Sequence, residues 1–298
     1  MKSKDMAIID FKIVAYLDIL GFKERINTNI QSGIELLKNY QLILNDLKDK
    51  YYRIDGFDFF LPFSDSIFIQ ASDASVFIKK LSEFLINCFE YKANSYRYPE
   101  NNNKPHEATM HGHELKNGSV IVNDVKVDWW PLLFRGGIGY GESYIVEMDA
   151  IIENAEAKVK NIIGKAIIDA YNLEYKSKGP RLFCDINFYH QLDDETKRYC
   201  KKENDIFEIL WPIFNFIEDN TTDFESNKIM NIMLPVINLY KAYNKESFGV
   251  HYKEFLKLTI CSVIRFFEIK NEKEIGNIQG HINYILKKNG IDPLTLIC

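Results

Sequence analysis

The chain has 298 residues, enough for one large domain or for a catalytic domain of about 200 residues with an appendage. Hydrophobic residues make up 46% of the chain and aromatic residues 14%, so a sizeable core is available. The net charge of −5 argues against a general binder of nucleic acid or of anionic membranes.

Targeting signals and cysteine spacing narrow the setting further. The amino-terminal sequence lacks the apolar run of a signal peptide, and no stretch approaches the roughly 18 apolar residues that span a bilayer. The five cysteines are widely spaced and include no C-x-x-C pair, so the sequence predicts neither a disulfide framework nor a zinc site. We therefore expect a cytoplasmic protein with neither a membrane nor a nucleic-acid partner.

The first predicted element is a buried strand, Ile13 to Leu17, in the sequence FKIVAYLDILGF. It ends at Asp18, and a buried carboxylate normally has a cation or a hydrogen-bond donor beside it. The backbone amides of Leu20, Gly21 and Phe22 then lie at a helix start, which favours an anion. This segment can hold a metal ion on its acid and a phosphate on its amides. The alternative is a strand-to-helix turn in which the Asp caps the helix.

A long helix is predicted over residues 22–52, from apolar residues near helical spacing. The sequence FDFFLPFSDSIFIQ then predicts a hairpin with strands Phe57 to Leu61 and Ser66 to Gln70 and a turn near Asp65. A second helix is predicted from Ser75 to about Lys92.

Residues 94–118 are polar and predict an irregular loop. The loop contains His106, Glu107, His111 and His113, which raises the possibility of a metal site. The two outer histidines of the zinc-protease motif are four residues apart on a helix, whereas His106 and His111 are five apart. A surface loop is the preferred interpretation.

Strands are predicted over Val120 to Val127 and over Leu132 to Tyr140, the second with closely spaced glycines. Those glycines leave bare backbone where a helix, a second chain or a ligand can approach closely. Segment 150–175 has helical character at both ends, with a break at Gly164 and a helix from Lys165 to Lys176.

The rest of the first region predicts a short strand in RLFCDI, mostly helix over 185–202, and a last strand in DIFEILWPI. From about residue 219 the sequence predicts helices over 224–243, 248–270 and 273–289. We therefore divide the chain into a catalytic region, 1–218, and a helical carboxyl-terminal region, 219–298.

The predicted order β-α-β-β-α-β is that of a ferredoxin-like palm, an α+β fold. In that topology the end of the first strand lies beside the tip of the hairpin, so Asp18 and Asp65 would be a few ångströms apart. Two such carboxylates repel each other unless a divalent cation lies between them. Oxygen ligands suit Mg²⁺ or Mn²⁺, and Mg²⁺ commonly binds through one or two carboxylates together with substrate phosphates.

Four segments, YLDILGF, FSDSIFI, RGGIGYGE and GKAIIDAYNLE, resemble the class III nucleotidyl cyclases over about residues 10–215. The closest likeness is to the bacterial pyrimidine (cytidylate and uridylate) cyclases of Pycsar anti-phage defence. The resemblance implies conversion of CTP or UTP to the 3′,5′-cyclic nucleotide and pyrophosphate, as a second messenger in bacterial defence.

The resemblance also implies roles for particular residues. Asp18, the carbonyl of Ile19, and Asp65 would hold two Mg²⁺ or Mn²⁺ ions, and the amides of Leu20, Gly21 and Phe22 would bind the phosphates. Such enzymes act as head-to-tail homodimers, in which each site takes its metal-binding acids from one chain and its base contacts from the other.

Several positions depart from the family pattern. Leu61 stands where purine cyclases have a polar base-reading residue, and Asn161 occupies the second base-reading position, where its amide can pair with a pyrimidine edge. Ile168 and Asn172 replace the Asn and Arg that usually stabilise the transition state. The possible substitutes are Arg135, the favoured one, and Lys165, Lys201 and Lys202. Two alternatives stay open: a catalytically degenerate nucleotide-binding module, and a purine (ATP or GTP) cyclase.

Overall fold

The computed structural model describes residues 10–51, 56–89, 106–116, 119–129, 131–152, 155–176, 178–214, 226–245, 248–270 and 275–296. The strands are β1 Phe11–Ile19, β2 Phe59–Phe63, β3 Ser66–Ala71, β4 His106–Lys116, β5 Ser119–Trp129, β6 Phe134–Glu142, β7 Tyr144–Ile152, β8 Ala155–Ile163, β9 Leu182–Cys184, β10 Cys200–Glu203 and β11 Ile206–Ile209. The α-helices are α1 Phe22–Thr28, α2 Ile30–Tyr51, α3 Ala74–Phe89, α4 Lys165–Glu174, α5 Ile186–Gln191, α6 Asp194–Lys197, α7 Ser226–Tyr243, α8 Gly249–Lys270 and α9 Ile275–Lys288. Short 3₁₀ helices cover Trp211–Ile213 and Pro293–Leu296.

The main sheet has the strand order β10-β11-β9-β6-β1-β3-β2. Its β6-β1-β3-β2 part is antiparallel throughout, and in chain order these strands alternate with helices as β-α-β-β-α-β. This is the ferredoxin-like arrangement. The predicted α+β fold is therefore confirmed. Strand β9 adds to β6 in parallel, after the β7–β8 hairpin and α4.

One face of the sheet carries the main core. Alternate residues of β1, from Ile13 to Ile19, are buried on this face. Phe134 of β6 lies on the same face and contacts Tyr40 of α2 and Phe84 of α3, with ring centroids 5.9 and 5.8 Å apart respectively. Helices α2 and α3 therefore cover this face.

The opposite face carries Asp18 and is covered in part by α4. The glycines of β6 explain how the helix can lie so close to the strand. A Cβ atom at Gly137 would overlap the carbonyl oxygen of Ala170, and one at Gly139 would overlap that of Ala166. Of the ways predicted for these bare glycines to be used, the close approach of a helix is the one observed within this chain.

The carboxyl-terminal helices share the core of the sheet. Phe255 of α8 contacts Phe89 of α3 and stacks on Trp211, with ring centroids 4.8 and 5.6 Å apart respectively. The buried side chains of both regions belong to one cluster. The predicted boundary at 218/219 lies outside the described residues, so the division into two regions stays a prediction. No helix within the described ranges is long and apolar enough to cross a membrane.

The predicted single helix over 22–52 is instead two helices. Asn29 between them has extended backbone, and its side chain accepts a 3.0 Å hydrogen bond from the amide of Gln31. An Asn that caps the next helix in this way competes with continuation of the first. Gly33 then lets α1 pack closely, because a Cβ there would meet the side chain of Ile26 at 2.5 Å.

Three other predictions were wrong. Residues 106–116, predicted as part of a loop, pair with β5 in a hairpin, where backbone hydrogen bonds do not require an apolar sequence. Residues 150–163, predicted as partly helical, lie in the β7–β8 hairpin, where strand pairing overrides the helix propensity of the Ala, Glu and Lys residues of AEAKVKNII. Residues 200–203, predicted as helix, form the edge strand β10. Cys261 is disulfide-bonded, which the cysteine spacing did not predict.

Candidate active site

The end of β1 is joined directly to the β2–β3 turn. The amide of Ile19 donates a 2.8 Å hydrogen bond to the carbonyl of Asp65. Asp65 is the second residue of a two-residue turn, in which Ser64 has a φ of 56°. Asp18 is paired in register with Ser66. The two acids that the sequence singled out therefore lie beside each other.

Asp18 is a partly buried carboxylate among other acids. Its side chain is 20% exposed, and burial raises its pKa to about 6. The negative charges of Asp65 and Glu174 also raise this pKa, whereas Arg135 lowers it. The cluster thus holds more negative charge around Asp18 than Arg135 neutralises, which favours binding of a further cation.

Arg135 connects Asp18 to an acid that the sequence analysis missed. It lies opposite Asp18 in the β1–β6 register, and its Nη2 is 3.3 Å from Oδ2 of Asp18. Its Nε forms an ion pair with Glu174, the last residue of α4. Glu174 is buried, which raises its pKa, while Arg135 acts in the opposite direction. Arg135 is therefore part of the site, with its charge shared between two carboxylates.

A hydroxyl chain approaches Asp18 from the other side. Tyr16 and Ser66 share a 2.9 Å hydrogen bond, and the Ser66 hydroxyl donates a 3.5 Å hydrogen bond to Oδ1 of Asp18. Tyr16 also contacts Tyr171 of α4, with ring centroids 5.3 Å apart. The carboxylate of Asp18 is thus oriented from both neighbouring strands.

The turn after β1 differs in part from the predicted phosphate cradle. The amide of Leu20 donates a 2.8 Å hydrogen bond to the carbonyl of Leu133, so it is already used within the fold. Gly21 has a φ of 77°, and α1 begins at Phe22. Amides in the first turn of a helix have no intrahelical acceptor, so Gly21 and Phe22 stay candidates for phosphate contact. Helix α1 is seven residues long, and its dipole adds little.

The predicted base-reading residues are separated from the acids within one copy of the chain. Leu61 pairs with Phe68, and Phe68 with Tyr16, so Leu61 is on the face of Asp18 but two strands away. Asn161 lies in β8 opposite Val146, outside the main sheet.

The residues at the usual transition-state positions are also directed away from the acids. Ile168 and Asn172 are exposed on α4. They therefore have no counterpart of the usual role in the same copy of the chain.

The three lysines considered as substitutes for the missing cations are distant from Asp18. Lys165 begins α4, nine residues before Glu174 and so about 14 Å along the helix, and its ammonium binds Asp169 at 2.7 Å. Lys201 and Lys202 lie in β10, four strands from β1 and so about 19 Å away across the sheet. Of the proposed substitutes, Arg135 alone is close to the acid pair.

The donor set fits a hard divalent cation that is also bound by substrate. Asp18 and Asp65 supply carboxylate oxygens, and the backbone of Ile19 runs between them. Within the described residues no group of three or more His, Cys, Asp or Glu side chains could hold a metal ion. A pair of carboxylates completed by substrate phosphates is a common arrangement for Mg²⁺.

No family model and no curated protein matches the sequence. The chain is similar to three solved structures. They are the adenylyl cyclase CyaB from P. aeruginosa (16% identity, TM-score 0.42, 67% of this chain and 93% of that one), the guanylyl cyclase Cya2 (13%, 0.41, 68% and 93%) and the catalytic core of a rhodopsin-guanylyl cyclase with converted specificity in complex with ATPalphaS (10%, 0.41, 67% and 95%). Strand order and register, rather than these similarities, establish the α+β fold.

Proposed function

We propose that this protein is a nucleotide cyclase that converts a nucleoside triphosphate to its 3′,5′-cyclic monophosphate and pyrophosphate. The observation that carries the proposal is the pairing of Asp18 with Asp65 through the Ile19 hydrogen bond. Two neighbouring carboxylates at the open edge of a palm-like sheet are the ligand set that phosphoryl transfer requires.

In this reaction the ribose 3′-oxygen bonds to the α-phosphorus, the bond from that phosphorus to the bridging oxygen breaks, and the hydroxyl proton goes to solvent. Mg²⁺ or Mn²⁺, two per site, would be held by Asp18, Asp65 and the carbonyl of Ile19. Bound divalent cations supply positive charge for the attacking oxygen and for the departing pyrophosphate. Arg135 and Ser66 keep the Asp18 carboxylate oriented.

A pyrimidine triphosphate, CTP or UTP, is the substrate class we favour. The support is the resemblance of the four sequence segments, together with Leu61 and Asn161 at the base-reading positions. An apolar Leu61 offers no hydrogen bond to guanine, whereas the Asn161 amide offers both a donor and an acceptor. A role of the product as a second messenger in anti-phage defence rests on the resemblance alone.

We further propose a head-to-tail homodimer. Exposed apolar side chains lie around the acid site: Phe63, which shares a cross-strand row with Asp18, and Ile168 and Tyr171 on α4 are 69%, 59% and 54% exposed respectively. A second copy over this face would cover them and would bring Asn161 and Asn172 to the partner's acid pair.

The decisive experiment incubates the purified protein with each of the four NTPs and Mn²⁺ or Mg²⁺ and identifies products by chromatography. Asp65→Asn should abolish product. The matched control is Asp205→Asn, because Asp205 is likewise the second residue of a two-residue hairpin turn whose first residue, Asn204, has a φ of 56°. Absence of any cyclic product from the wild-type protein would refute the proposal.

The same panel tests the second candidate function, a nucleotide-binding module without turnover. The replacement of the usual transition-state residues by Ile168 and Asn172 favours it. Tight NTP binding by calorimetry with no product for any nucleotide would establish this alternative. Product from ATP or GTP rather than CTP or UTP would instead identify a purine cyclase.

A further inference from the structure

The start of α8 packs against the turn that follows the metal-binding strand. Phe248 immediately precedes α8, and a Cβ atom on Gly21 would lie 3.8 Å from the Cβ of Phe248. The guanidinium carbon of Arg25, in α1, is 5.0 Å from the centroid of the Phe248 ring. Arg25 is 7% exposed and also hydrogen-bonds to Tyr252 of α8. The turn and α1 are thus held from outside by carboxyl-terminal residues.

A second contact of α8 leads to the other side of the acid site. The amide of Gly179 donates a 3.2 Å hydrogen bond to Nδ1 of His251. Two residues further on, the carbonyl of Arg181 accepts a 3.0 Å hydrogen bond from the amide of Gly136, which follows Arg135. The first turn of α8 is therefore connected to both strands that carry the charged groups of the site.

We propose that Phe248 is a positioning residue for the reaction, and that the carboxyl-terminal helices belong to the catalytic unit because they fix the turn after Asp18. The inference rests on the proposed function for its catalytic consequence. Gly21 has no side chain to anchor the turn, and its positive φ is open to glycine at low cost. The Phe248 ring and the Arg25 guanidinium supply the missing contact.

A loose turn would matter at the metal ligands. Metal and substrate sites need their ligands within about 0.5 Å of the productive position. Leu20 and Gly21 continue directly from Asp18 and Ile19, so movement of the turn displaces these ligands relative to Asp65. The expected defect is therefore weaker metal use, in addition to any loss of stability.

The test compares Phe248→Ala, Phe248→Tyr and Ile282→Ala in the full chain. Ile282 is buried in α9, so its truncation destabilises the helices without contacting the turn. Hydrogen exchange is followed by mass spectrometry in peptides covering residues 18–25. The Mn²⁺ concentration for half-maximal activity is measured in parallel.

We expect Phe248→Ala to accelerate exchange of these amides about tenfold and to raise the half-maximal Mn²⁺ concentration about fivefold or more. Phe248→Tyr keeps the ring and should stay within about twofold of wild type for both quantities. Ile282→Ala should lower the melting temperature and change neither quantity. If Phe248→Ala does not fold, Arg25→Lys replaces it, because Lys keeps the charge but loses the flat stack on Phe248.

The two proposals fail separately. Unchanged exchange in residues 18–25, or an unchanged Mn²⁺ requirement in an active enzyme, overturns the positioning role while the cyclase activity stands. A wild-type protein that forms no cyclic nucleotide refutes the proposed function. In that case faster exchange in Phe248→Ala still supports positioning of the turn, and unchanged exchange still refutes it.

Discussion

Ile19 and Asp65 are joined backbone to backbone by a 2.8 Å hydrogen bond, although 46 residues separate them in the chain. Because the bond uses main-chain atoms, it leaves the Asp65 side chain available for a ligand. It also fixes where the β2–β3 turn meets the end of β1. The relative position of the two acids is therefore a property of the sheet and does not depend on side-chain contacts between them.

The raised pKa of Asp18 predicts that Asp18→Asn stabilises the protein when divalent cations are removed with EDTA. The folded protein binds the Asp18 proton up to about pH 6, whereas the unfolded chain releases it near the ordinary value of 3.8. The stability associated with this proton is thus complete below about pH 4 and is lost as the pH rises through 6. After allowance for the exposed part of the side chain, the loss is about 1–2 kcal/mol.

Urea unfolding of both proteins at pH 4 and pH 7.5 measures this effect. Relative to wild type, Asp18→Asn should gain about 1–2 kcal/mol between the two pH values, and Asp205→Asn should gain nothing. A gain that is equal at both pH values would mean that the carboxylate charge is not the cause.

Removal of the Arg135 guanidinium should destabilise the fold. Glu174 is buried and Asp18 is largely so, and Arg135 is bound to both. A buried carboxylate left without its partner is costly, so Arg135→Met should lose about 2–4 kcal/mol of unfolding free energy at pH 7.5. Adding Glu174→Gln should restore part of that loss, because the uncompensated charge is then gone.

Lys165→Met is the control for this pair of variants. It breaks the Lys165–Asp169 ion pair, whose lysine is exposed, and should change stability by less than about 0.5 kcal/mol. If Arg135→Met were as mild as this control, the ion pairs of Arg135 would not be a structural feature of the site.

The glycines of β6 give a prediction with an internal comparison. A methyl group at Gly137 would overlap the backbone of α4, so Gly137→Ala should cost about 3 kcal/mol or more. Gly280, inside α9, has open space around the position of a Cβ, so Gly280→Ala should gain about 0.5–1 kcal/mol from helix propensity. Thermal unfolding of the two variants checks both signs. Tolerance of Ala at Gly137 would show that α4 can move away from the strand.

The acid pair could be predicted from the sequence because its signals are local. Asp18 ends an apolar strand and Asp65 lies in a short hairpin turn, and the fold's topology then determines that the two meet. The three carboxyl-terminal helices were likewise predicted close to their observed bounds, because their apolar periodicity is long.

The missed features depend on contacts between distant segments. Glu174 becomes a member of the site through Arg135, which precedes it by 39 residues, and no local pattern marks it. Phe248 reaches Gly21 across more than 200 residues. Segment 155–163 was misjudged because its Ala, Glu and Lys residues favour helix in isolation, whereas pairing with β7 decides its conformation.

A composite dimer site predicts complementation between two inactive variants. Asp65→Asn removes a metal ligand, and Asn161→Ala removes a base contact that the partner is proposed to receive. In a heterodimer of the two, one site contains both changes and the other contains neither. With random mixing half of the dimers are of this kind, so a 1:1 mixture should recover about a quarter of wild-type activity. Subunits are exchanged by co-expression, and activity is measured on the mixture and on each variant alone. Recovery no greater than the sum of the separate variants would show that each site is built from a single chain.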